Sequence, residues 1–134
     1  MQVGATVSFP NHDTVRHHAY SFSTPKVFEL KLYSGVPGPP VVFDKPGTVI
    51  VGCNIHDQMI AYIHVVDTPY FAQTNAAGIA RIDNVAAGKF TLKSWHYLLA
   101  EQGYSQGQAI SVTTAGTTAS VRIGIKSPSS KLKK

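Results

Sequence analysis

Val3, Ala5, Val7 and Phe9 alternate with Gly4, Thr6 and Ser8, the period of two expected of a strand with one buried face. Pro10-Asn11 interrupts it, so a first strand is expected to end near residue 9. After a polar turn from Asn11 to Arg16, alternation returns over residues 17–23, with His17, Ala19 and Ser21 on one face and His18, Tyr20 and Phe22 on the other. Residues 27–32 set Phe28, Leu30 and Leu32 against Glu29 and Lys31 in the same way. Three Pro and two Gly between Ser34 and Pro40 predict an irregular connection, because proline cannot donate to a sheet ladder. Extended structure is expected again over Val41 to Phe43. The turn Asp44-Lys45-Pro46-Gly47 then delivers the chain into the apolar run from Thr48 to Val51, which ends at Gly52-Cys53. Ile60 to Val66 is the next apolar strand, stopped by Asp67-Thr68-Pro69.

Residues 70–96 read as a meander: Phe71 to Thr74, a turn at Asn75 to Gly78, Ile79 to Val85, a turn at Ala86 to Gly88, and Lys89 to His96. A helical turn is expected around Leu98 to Gln102, and further strands over Gln108 to Val112 and Thr117 to Ile125. The turn spacing and the strand total, about ten, are those of an all-β sandwich or barrel. Residues 1–126 are read as a single domain and 127–134 as a flexible basic tail.

Composition narrows the classes. The 134 residues include 12 Lys+Arg and 7 Asp+Glu, a formal charge of +5, but Lys126, Lys131, Lys133 and Lys134 supply four of the basic groups. Residues 1–125 therefore carry eight basic against seven acidic groups. No basic stripe interleaved with aromatics is left to neutralise phosphates, so no nucleic-acid partner is expected. No apolar run approaches the roughly 20 residues of a membrane-spanning helix, so no membrane span is expected either. Met1 before Gln2-Val3 reads as an initiator on a mature chain, and the missing leader does not argue for the cytosol.

The single cysteine, Cys53, excludes an internal disulfide. It is a buried hydrophobe, a nucleophile or a metal ligand. The segment Gly52-Cys53-Asn54-Ile55-His56-Asp57-Gln58-Met59 gathers a thiol, an imidazole and a thioether between two apolar strands. Soft sulfur with imidazole selects copper, and two His, one Cys and a weak axial Met form an electron-transfer copper set. A second His is needed from elsewhere, and His17 and His18 stand at the start of the second strand. A nucleophilic Cys53 with His56 as base is the rival, but residues three apart in one loop seldom aim at each other. Structural zinc ordinarily takes more Cys or His and gains little from Met.

On Asn11, Asp13 and His17, and on Cys53, His56 and Met59, residues 3–66 resemble the cupredoxin family, the plastocyanin-like and azurin-like blue copper proteins. The resemblance implies a Greek-key β-sandwich with one copper per chain, cycling between Cu(I) and Cu(II). The ligands it implies are His17, Cys53, His56 and Met59, with His18 falling where the family often has Asn. Two residues separate His56 from Met59, where plastocyanin-like loops usually have four. That spacing is closer to the binuclear copper domain of cytochrome oxidase, which needs two Cys. Residues 67–125 resemble the regulatory-like sandwich modules of methylamine-utilisation-like bacterial proteins, and imply extra strands from the C-terminal half.

The expected function is one-electron transfer without substrate turnover, and the resemblance implies the bacterial periplasm. The expected partner is a c-type cytochrome, a periplasmic oxidoreductase or a copper-handling protein. Asn11, Asn54 and Asp57 are expected to orient the ligand loop. A copper carrier or sensor is the second reading, and a metal-free structural or carbohydrate-facing module the third.

Overall fold

The computed structural model describes residues 1–55, 58–99 and 103–126. Among them are eight strands and no helix: β1 (Thr6–Val7), β2 (His17–Ser23), β3 (Lys26–Tyr33), β4 (Val41–Val42), β5 (Gly47–Cys53), β6 (Ile60–Val65), β7 (Gly88–Leu92) and β8 (Gln108–Val112). Among the described residues no helix is long and apolar enough to cross a membrane. The chain divides into two compact units, Met1–Ala80 and Arg81–Lys134.

In the first unit, Ser23 pairs with Lys26 across the two residues Thr24-Pro25, making a tight hairpin of β2 and β3. The sheet has the order β3-β2-β5-β6 with every pair antiparallel. Of the two faces of β2, that of His17, Ala19 and Ser21 is the buried one: Ala19 and His17 are each 8 % exposed and Ser21 is fully buried. Val49, Val51 and Cys53 of β5 alternate inward, as do Ile63 and Val65 of β6. β1 and β4 form a separate two-stranded ribbon. Its Val7 and Val41 join Phe43, Val49, Val51, Val65, Ala19, Phe28 and Leu30 in one apolar cluster. Phe43, fully buried, is locked there: its N–H donates to the Ala5 carbonyl at 2.9 Å and its carbonyl accepts from Gly4 at 2.8 Å. Gly47 supplies the positive φ, 133°, that the turn into β5 requires.

One face assignment is corrected. His17 pairs with Tyr33 and Ala19 with Leu30, so β3 carries an extra residue opposite His18. This bulge turns Leu32 outward, 49 % exposed, and brings the half-buried Tyr33 to the core side.

The second unit is built on the β7–β8 ribbon, in which Phe90 pairs with Ile110. Three expected strands do not form, one of them within the first unit and one across the division between the units. Residues 71–74, 79–85 and 117–125 have no ladder partner, apart from an isolated bridge between Leu99 and Ile125. The turn at Asn75 does form, with its Oδ1 accepting from Ala77 and Ile79, both at 3.0 Å. Near the expected helical turn, the N–H of Leu99 donates to the His96 carbonyl at 2.9 Å. Residues 100–102 and the tail, 127–134, lie outside the described residues.

Candidate functional site

Strands β2 and β5 pair with Ala19 opposite Cys53 and Tyr20 opposite Gly52. In that register residue 17 lies two positions from the partner of Cys53 on the same face, and such diagonal neighbours reach each other through long side chains. The N–H of Asn54 donates to the His18 carbonyl at 3.1 Å, holding the strands together just past the cysteine. The outcome is a buried pair: Cys53 Sγ lies 3.6 Å from His17 Nδ1.

The other ring nitrogen of His17 is also engaged, with Nε2 2.6 Å from Asp13 Oδ2. Asp13 is carried by a loop pinned through Asn11, which is 6 % exposed. The N–H of Asp13 donates to Asn11 Oδ1 at 2.9 Å, and Asn11 Nδ2 donates to the carbonyls of Val15 at 2.8 Å and Tyr33 at 3.0 Å. Asn11 further exchanges two backbone hydrogen bonds with Gly35. A loop without regular structure thereby gains a fixed shape.

These contacts set the electrostatics. The pKa of His17 is raised from its ordinary value, first by the hydrogen bond to Cys53 and then by that to Asp13, with burial opposing. Tyr33 is also raised, by burial first and then by the charge of Cys53. The phenol therefore stays protonated at neutral pH.

His18 points to the outer face, opposite to His17 as alternation predicts. Its Nε2 lies 2.8 Å from Glu29 Oε1, and its ring meets Tyr20 edge-on. Met59 is 45 % exposed. It lines, with Cys53, Tyr20, Phe22, Ile50 and Ile60, an open groove of about 400 Å³. Gly52 shapes this groove, because a Cβ there would sit 3.1 Å from the Tyr20 ring and hydroxyl. His56 and Asp57 lie outside the described residues, and Asn54 is exposed. Among the described residues no three His, Cys, Asp or Glu side chains gather as a metal cluster. The candidate donors described are His17 and Cys53, which meet on the buried face of the sheet, and Met59, on a groove that opens on the face of Tyr20, Phe22 and Ile50.

Two further histidines have other partners. His64 pairs through Nδ1 with Thr48 Oγ1 at 3.0 Å, and His96 Nδ1 accepts from the N–H of Leu98 at 3.1 Å. Two residues at the site escaped the sequence reading. The sequence puts Asp13 on the polar loop without setting it against His17, and nothing in it marks Tyr33; the Asn-x-Asp spacing is the available signal for Asp13.

The fold and this geometry define an all-β protein in which a buried Cys53–His17 pair is hydrogen-bonded to the exposed carboxylate of Asp13. Compared with family models, with curated proteins and with solved structures, the chain matches none of them.

Proposed function

We propose that this chain is a mononuclear copper protein of the cupredoxin kind that exchanges single electrons, with His17, Cys53, His56 and Met59 as donors. The observation that carries the reading is the buried pair of Cys53 Sγ and His17 Nδ1 at 3.6 Å. A thiol and an imidazole nitrogen that face each other, with the far ring nitrogen tied to a carboxylate, are a donor set that fits a soft late transition metal. Copper, when bound, supplies the Cu(I)/Cu(II) couple. Cys53 contributes a thiolate and His17 a nitrogen that binds either oxidation state. Their adjacent, paired strands restrain both side chains, which limits rearrangement when an electron moves. The same reading carries the Greek-key sandwich, the periplasmic location, a redox partner protein and the absence of substrate turnover.

Titration of the metal-free protein with Cu(II) tests it. One equivalent per chain should produce an intense thiolate-to-copper charge-transfer band in the visible. Cys53→Ser should abolish the band and His17→Ala should weaken and shift it. A wild-type chain that develops no such band overturns the reading.

The exposure of Met59 on an open groove favours a second reading, a carrier that passes Cu(I) to a partner through the thioether. Rapid loss of Cu(I) to a chelator, slowed in Met59→Leu, supports the carrier. Stable redox cycling at fixed stoichiometry supports electron transfer.

A further inference from the structure

The loop before β2 holds a carboxylate that the proposed ligand set does not use. Asp13 Oδ2 lies 2.6 Å from His17 Nε2, on the side of the ring away from Cys53. A neutral imidazole carries its proton on one nitrogen or the other, and its neighbours choose which. With the proton on Nε2, the ring donates to the carboxylate and presents the Nδ1 lone pair toward the thiol. In the other tautomer the Nε2 lone pair would face a carboxylate oxygen at this distance, which is repulsive. We propose that Asp13 is a positioning residue for His17, selecting the Nε2–H tautomer and strengthening Nδ1 as a metal donor. This inference rests on the copper reading above.

The loop does not depend on the carboxylate for its shape. Asn11 holds it through the backbone of Asp13, Val15 and Tyr33. The Asp13 side chain is 64 % exposed while that of His17 is 10 % exposed, so shortening Asp13 opens no cavity. A carboxylate that draws on the Nε2 proton gives the ring part of the character of an imidazolate. Such a ring binds Cu(II) more strongly relative to Cu(I), and so holds the reduction potential down. The sheet supplies its own control. His18 and Glu29 form a similar pair at 2.8 Å on the outer face, away from Cys53.

The test compares the full wild-type chain with Asp13→Ala, Asp13→Asn and Glu29→Ala. In the Cu(I)-loaded wild type, proton NMR should show a slowly exchanging Nε2–H of His17, lost in Asp13→Ala. Cu(II) affinity should fall about 10- to 100-fold in Asp13→Ala. The potential should rise, and the thermal midpoint of the metal-free protein, read at a pH where His17 is neutral in both states, should move little. Asp13→Asn, which keeps an acceptor without the charge, should fall between wild type and Asp13→Ala. Glu29→Ala should match wild type. Wild-type affinity, potential and ring N–H in Asp13→Ala would overturn the proposal. So would an affinity loss that tracks the thermal midpoint and is not relieved by Asp13→Asn. A wild-type chain that takes up no copper overturns the copper reading instead. In that case nitrogen-15 shifts of the neutral ring in the metal-free protein decide the positioning role, Nε2–H in wild type and a tautomer mixture in Asp13→Ala supporting it, and equal populations overturning it.

Discussion

Asn11 shows how one side chain sets the geometry around His17. Its amide joins the Asp13 N–H, the Val15 carbonyl and the Tyr33 carbonyl, and all of these bonds are within 3.0 Å. Replacing it by Ala leaves those backbone groups without their partner in a site where Asn11 is buried. Asn11→Ala should therefore lower stability by about 1–3 kcal/mol in urea unfolding. Alternation along β2 sets His17 and His18 on opposite faces, since consecutive residues of a strand face opposite ways, but which of them is inward is decided by the packing of the sheet. The contact of Asp13 with His17 was not legible, because four residues of loop have no fixed period. Their direction comes from the hydrogen bonds of Asn11, whose partner Tyr33 lies 22 residues away.

At the scale of elements, the β1–β4 ribbon is fastened to the main sheet through Phe43, which follows β4 and meets Phe28 at 6.2 Å in an edge-to-face arrangement. Phe43→Ala should cost about 3–5 kcal/mol, measured by denaturant unfolding, because it leaves a cavity where the side chain is fully enclosed. Phe22→Ala on the outer face, at 79 % exposure, should change stability by no more than about 0.5 kcal/mol. Strands β2, β5 and β8 formed where period and turn residues placed them. Residues 71–74, 79–85 and 117–125 have the composition of strands and form no ladder, for composition states a preference and pairing needs a partner edge. The bulge in β3 was equally hidden, because Leu32 obeys the alternation and is turned outward only by its pairing with β2.

For the whole molecule, two histidines make the metal-free protein sensitive to pH with opposite signs. His64 is lowered from 6.5, by burial first and then by the amino-terminal charge, so the fold favours its neutral form. Its contribution is complete above 6.5 and is lost as pH falls through the lower folded value. His17 is raised, so its contribution is complete below 6.5 and is lost as pH rises through the higher folded value. Urea midpoints measured across this range should decline on both sides, with His64→Gln flattening the acid limb and His17→Gln the alkaline limb. The all-β class, the turns at Gly47 and Asn75 and the division of β2 and β5 into two faces follow from neighbours in sequence, because a strand's side chains alternate whatever lies beside it. The skip from β2 to β5 across β4, and the register that sets residue 17 diagonally from residue 53, are different in kind. They depend on hydrogen bonds between segments more than thirty residues apart, and period-two alternation is identical for every register that keeps the same face inward.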